Sequence, residues 1–273
     1  MTKFETQPET HDLVIALGSG KVNESINDAI VMRACVGASG TWHFPMELLV
    51  ALRNVPKEKL ADAVIHVPPR TSYMVNWLTL IPGVKESNIR DTPVIAAKTL
   101  LVPEMGFCAF PSPGHLEWLD HAVAVPAVAT DPTLAPNNKN IILVQRSSAS
   151  RKVANKDDVH AVVTQFAAEN GYNFVLQDDK KLPPIPEQIT RFRNSDIVVM
   201  PHGAGGVFIN FSPERACVME FLPTNGWNTC YARIAYIRNL NYISHMMVNG
   251  SHIDPTQLVE GLKKCVVATT LPP

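Results

Sequence analysis

The chain's 273 residues suffice for one large domain or two compact ones with real cores. An apolar content of 46% excludes a disordered chain, and 22 prolines against 14 glycines without repeats or low-complexity runs exclude collagen-like, solenoid and coiled-coil classes. Twenty-four Lys and Arg balance 25 Asp and Glu, so no uniform field draws nucleic acid or acidic lipid, and any anionic ligand must be held locally.

Met1 to His11 is polar and mixed in charge, and no stretch approaches the roughly 18 uncharged apolar residues of a membrane span. A soluble, cytoplasmic protein without a membrane span is expected. The five cysteines Cys35, Cys108, Cys217, Cys230 and Cys265 are scattered, odd in number and never spaced Cys-x-x-Cys, which predicts neither a disulfide framework nor a metal site. β-rich apolar runs fall at Leu13 to Leu17, Ala63 to Val67 and Leu100 to Val102. More follow at Ile141 to Val144, Asn173 to Leu176, Ile197 to Met200, Ala216 to Phe221 and Tyr242 to Val248. Their alternation with helical patterns predicts an α/β fold with parallel sheets. The polar, proline-punctuated stretch from Asp131 to Asn140 divides a domain over 1–130 from one over 131–250. A helix is predicted after Asn155 as N-cap, with Val159, Val162, Val163 and Phe166 at helical spacing and Gly171 past its end. A last helix over 251–273, starting at Pro255, carries Leu258, Leu262 and Val266 on one side and is expected to pack back across either domain, the N-terminal one included.

Three segments carry candidate chemistry. In Gly40 to Leu52, His43 and Glu47 are four apart and share a helix face, either a proton-accepting pair or a capping histidine beside a surface charge. In Val144 to Asn155, Arg146, Arg151 and Lys152 with Ser147, Ser148 and Ser150 follow a strand and precede a capped helix. Guanidinium forks and hydroxyls suit a diphosphate, and a solvated basic loop is the plain alternative. In Ser195 to Val207, a buried strand runs into His202-Gly203-Ala204-Gly205-Gly206 and a helix start, either an anion cradle of backbone amides or a tight turn. Glu220 ends the next strand, where ribose hydroxyls are often held. No P-loop, nucleophile elbow, His-Glu-x-x-His or Asp-x-Asp occurs, so a diphosphate leaving group would be neutralised by protein cations and no metal site is expected.

Together these segments resemble glycosyltransferase family 61. Arg146 with Arg151, Lys152 and Asn155 is similar to the family's Arg-rich loop; Asp196 through Pro213 to its strand, His-Gly-Ala-Gly loop and following Pro; Ala216 to Pro223 to the next strand ending in Glu and Pro. Trp42, His43 and Glu47 resemble its N-terminal aromatic-His motif. Gly206 departs from the pattern, since a larger residue usually stands there.

The resemblance implies two facing Rossmann-like domains of the GT-B type, with nucleotide on the C-terminal domain and acceptor mainly on the N-terminal one. It implies metal-independent, inverting transfer of a sugar, xylose or N-acetylglucosamine first, from a UDP-sugar to a hydroxyl of a glycan or glycoprotein. The UDP-sugar is a co-substrate and no cofactor is expected. Arg146, Ser147, Arg151, Lys152, His202, Gly203, Ala204 and Gly205 would bind the nucleotide-sugar, Glu220 the ribose, and Glu47, with His43 second, would act as base. The rival readings are a non-catalytic nucleotide-sugar or polysaccharide-binding module, a hydrolase using the glycine loop as oxyanion hole, and a nucleic-acid binder.

Overall fold

The computed structural model describes residues 5–6, 13–16, 24–32, 40–67, 70–92, 94–104, 106, 110–123, 134, 139–147 and 152–270. The chain divides into two compact units, Met1–Ala124 and Val125–Pro273, each with its own sheet.

In the first unit the strands are β1 (Glu5–Thr6), β2 (Leu13–Ala16), β3 (Glu24–Val31), β4 (Val64–His66), β5 (Ile89–Arg90) and β6 (Val94–Leu101), in the order β1-β2-β6-β3-β4-β5. The four strands β6, β3, β4 and β5 run parallel, while β2 runs antiparallel to both β1 and β6. The central β3 escapes sequence reading because Glu24, Asn27 and Asp28 interrupt it. Only its second half, Ala29, Ile30 and Val31, is buried, and Asp28 is satisfied at the margin by Lys59 at 2.7 Å. Among the described residues, the α-helices of this unit are α1 (Lys57–Asp62), α2 (Ser72–Leu78) and α3 (Pro113–Ala122). Thr71 and Ser112 cap α2 and α3 by accepting from the Met74 and His115 amides, and Pro113 opens α3 where its missing N–H costs nothing.

The second unit holds five parallel strands: β7 (Asn140–Gln145), β8 (Asn173–Asp178), β9 (Ile197–Pro201), β10 (Cys217–Leu222) and β11 (Asn241–Met246). Their order is β11-β10-β9-β7-β8, so the chain winds outward through β7 and β8 and then reverses through β9, β10 and β11. The helices are α4 (Lys156–Glu169), α5 (Ile185–Arg193), α6 (Cys230–Ile237) and α7 (Pro255–Thr270), with a 3-10 helical segment at Ala204–Phe211. Period-two alternation splits the strands. Ile141, Leu143, Ile197, Val199, Cys217, Met219 and Phe221 join Val159, Val163, Leu258 and Leu262 of α4 and α7 in one core. α7 packs on α4, β10 and β11 of its own unit.

The expectation of no disulfide is corrected here. Cys217 of β10 and Cys265 of α7 are bonded, with Cα atoms 5.3 Å apart, and both are fully buried. Forty-eight residues separate them in sequence, so only the packing of α7 on β10 reveals the pair. Cys230 is buried and unbonded, while Cys35 and Cys108 lie outside the described residues. Among the described residues no helix is long and apolar enough to cross a membrane.

Candidate functional site

In an open parallel sheet, ligands bind beyond the strand C-terminal ends where the winding reverses, because neighbouring loops there part to opposite faces. In the second unit that point lies between β7 and β9, and these strands deliver Arg146, Ser147, His202 and Gly203 to it. The half-buried Arg146 crosses the gap, its Nη1 donating to the His202 carbonyl at 3.0 Å. Gly203 is required by this guanidinium: a Cβ there would lie 1.7 Å from Arg146 Nη1. The backbone at Gly203 is extended, so close approach and not a special torsion selects glycine.

The segment beginning at Ala204 turns its first amides outward from the helix end, where no carbonyl of the same helix can accept them. From Gly206 to Phe211 the segment is buried, which anchors this end of the cradle in the core. Gly206 has its own reason. A Cβ there would come within 2.7 Å of the Tyr231 ring and 2.8 Å of the Met200 terminal methyl, so the Tyr231 ring fills the volume a larger residue would use. The Tyr231 hydroxyl donates to the Gly203 carbonyl and its ring meets His202 edge-on at 5.4 Å.

Ser147 is fixed twice. Its amide donates to Asp179 Oδ1 at 2.8 Å and its hydroxyl accepts from Gln145 Nε2 at 2.9 Å, and Gln145 also donates to Asp178 Oδ2 at 3.2 Å. Lys152 is exposed, while Arg151, Ser148 and Ser150 lie outside the described residues. The far end of this basic loop is fastened to the chain after β11. Asn155 stands at the N-cap position of α4, yet its side chain makes no capping bond. Instead its Nδ2 donates to the Ile253 carbonyl at 2.8 Å and its Oδ1 accepts the Ile253 amide at 3.0 Å, with the Ala154 amide donating to Ser251 O at 2.8 Å. An amide side chain thus pairs with a backbone 98 residues away as a strand neighbour would.

Glu220, expected to meet ribose hydroxyls, has protein partners on both carboxylate oxygens. β10 runs on to Leu222, so Glu220 is not at its end; it lies fully buried on the face opposite to that of Cys217, Met219 and Phe221. Its Oε1 meets His202 Nδ1 at 2.5 Å and its Oε2 accepts the Tyr242 hydroxyl. Burial, reinforced by this carboxylate, holds the Tyr242 phenol well above its usual range, so it remains a donor. Tyr231, Tyr242 and Gln145 were missed by sequence reading.

In the first unit, His43 and Glu47 meet within one short turn. Phe44–Leu48 forms a π-helical turn that Pro45 enters without an N–H, and Leu49 donates to the Phe44 carbonyl. This brings His43 Nδ1 to 2.8 Å from Glu47 Oε1. The two differ sharply in reach, for the His43 side chain is 31% exposed and that of Glu47 only 1%. The Glu47 carbonyl accepts the Gly106 amide at 2.9 Å, and a Cβ at Gly106 would lie 2.8 Å from the Met46 carbonyl, so glycine allows that close packing.

The family model for glycosyltransferase 61 matches residues 41–219, about two thirds of the chain. The chain belongs to glycosyltransferase family 61. The matched stretch takes in His43, Glu47, Arg146, Ser147, His202 and the glycine loop and ends one residue before Glu220. The EGF domain-specific O-linked N-acetylglucosamine transferase of Drosophila melanogaster is 30% identical over 112 residues, covering 41% of this chain and 21% of that protein. The chain thus corresponds to about a fifth of that relative's length. Among solved structures, a flavo di-iron protein variant from Thermotoga maritima superposes with a TM-score of 0.39 at 13% identity, covering 62% of this chain and 43% of that one. A flavoprotein from the same organism gives 0.37 at 14%, covering 62% and 44%. Neither likeness bears on the chemistry.

Proposed function

We propose that this family 61 chain transfers a sugar from a UDP-sugar to a hydroxyl of a glycan or glycoprotein, with inversion and without a metal, in a GT-B-type division of labour. The donor is assigned to the second unit and acceptor chemistry to the first. The observation that carries this reading is the Arg146 guanidinium laid on Gly203 and hydrogen-bonded to His202 O at the winding reversal. A departing nucleoside diphosphate gathers negative charge, and a guanidinium beside outward-facing amides stabilises that charge where it develops. The Arg146 guanidinium and the backbone N–H groups beside it suit phosphate oxygens directly and repel a divalent ion. Arg151 and Lys152 are assigned to the same diphosphate.

The acceptor hydroxyl attacks the anomeric carbon in line with the departing UDP, and its proton passes to a base. The geometry favours His43 as that base, oriented by Glu47, because only His43 is within reach of solvent. This reverses the order given to the pair from sequence. Xylose and N-acetylglucosamine are the sugars proposed first. The test is release of UDP from UDP-sugars with glycan acceptors in chelator. Turnover that persists in chelator is the expected result, and turnover abolished by chelator and restored by manganese would overturn the metal-free mechanism.

A further inference from the structure

The second unit contains a polar chain that the proposed transfer does not itself require, running from the half-buried Tyr242 hydroxyl to the buried Glu220 and on to the buried His202 ring. All three groups lie on the face of the sheet away from α7. Parallel register sets Glu220 opposite Ser244, one step along the same face from Tyr242. His202 is tied a second time through its backbone, its amide donating to the Phe221 carbonyl at 2.8 Å and its carbonyl receiving Arg146. One residue therefore joins the chain from β11 and β10 to the guanidinium from β7.

We propose that Tyr242 and Glu220 are positioning residues that hold His202 in the tautomer whose Nδ1 carries the proton, leaving Nε2 as a ring acceptor for a hydroxyl of the donor nucleotide. This rests on the reading of the second unit as the donor site. The Tyr242 O–H donates to Oε2, and a carboxylate accepting on both oxygens requires Nδ1–H on its other partner. Nδ1 is then committed to Glu220, and Nε2 is the ring nitrogen that remains for a ligand. Burial makes the arrangement specific. His202 is 4% exposed and Glu220 fully buried, so loss of one hydroxyl leaves a carboxylate oxygen without its donor and frees the ring to turn. Tyr231 confines the ring from the other side by its edge-on contact.

The test is a double-mutant cycle on UDP affinity in the full chain, with Tyr242→Phe, His202→Gln and the pair, accompanied by nitrogen-15 spectra of labelled histidine. Tyr242→Phe removes only the hydroxyl. It is expected to weaken UDP binding about three- to tenfold in the parent chain and to have no further effect in the His202→Gln background. The His202 signal, assigned by its loss in His202→Gln, is expected to show a protonated Nδ1, to lose that signature in Glu220→Gln, and to shift at Nε2 on adding UDP. Equal weakening by Tyr242→Phe in both backgrounds, or an Nε2-protonated neutral ring in the parent chain, overturns the proposal. If the parent chain binds no UDP, the donor reading fails, and the hydroxyl contact assigned to Nε2 fails with it; the spectra of the parent and Glu220→Gln chains then decide the positioning of His202 alone.

Discussion

Arg146 and Gly203 occupy one another's space: the guanidinium Nη1 lies where a side chain at 203 would begin, 1.7 Å from an added Cβ. Two substitutions from opposite sides should therefore give one phenotype. Arg146→Ala removes the cation and Gly203→Ala displaces it, and each is expected to weaken UDP binding about tenfold or more by calorimetry while the fold persists. Loss of affinity in Arg146→Ala with none in Gly203→Ala would show that the guanidinium acts from another position.

The His43–Glu47 pair separates binding from turnover. His43→Gln is expected to lower the rate constant for sugar transfer about a hundredfold or more and to leave UDP affinity intact, because the pair belongs to the first unit. Glu47→Gln is expected to act in the same direction through loss of the carboxylate that orients the ring, with UDP binding again spared. Full turnover in His43→Gln would remove the histidine from the mechanism.

The bridge between Cys217 and Cys265 closes a loop of 48 residues. Chain-entropy arithmetic for such a loop gives about 4 kcal/mol, which for a unit of this size lowers the melting temperature by roughly 10 °C when the bridge is absent. Cys217→Ala with Cys265→Ala should show this loss, and reductant should add little to it. Alkylation of both cysteines in the unreduced, unfolded chain would show that no bridge forms.

Two histidines give stability a pH dependence. Burial, aided by Arg53 and opposed by Glu104, holds His115 below its usual 6.5, and burial, aided by Lys264 and opposed by Glu260, does the same for His245. Among the described residues, His115 Nδ1 and His245 Nε2 are buried without hydrogen-bond partners. A depressed folded pKa means that the unfolded chain takes up the proton first. The stability these groups contribute is whole above about pH 6.5 and is lost as pH falls through the folded values. His245→Phe, which keeps an aromatic stack on Phe221, should flatten the fall of melting temperature between about pH 7.5 and 5.5. An unchanged slope would contradict the assignment.

The second sheet was legible because its strands, Ile197 to Met200 above all, are continuous apolar runs bounded by loop residues, as strands covered on both faces must be. The cradle was legible only in two pieces, because a glycine run after one buried strand and a cluster of cations after another each leave a pattern in the chain. β3 was not, since its polar first half carries no period-two signal and only pairing with β6 and β4 holds it as a strand. Asn155 was recognised by position but not by action, because the segment that competes for its side chain lies 98 residues away. The same limit hid Tyr242 from Glu220, and Cys265 from Cys217: each pair is made by parallel strand register or helix packing, and sequence spacing contains neither.

If the second unit holds a nucleoside diphosphate by protein cations, the most direct measurement is the melting temperature with UDP, UDP-sugars and GDP-sugars in chelator, for the parent chain and Arg146→Ala. A UDP-selective rise that needs no metal and is lost in Arg146→Ala is expected. No rise with any nucleotide, or an equal rise in the variant, would contradict the donor assignment.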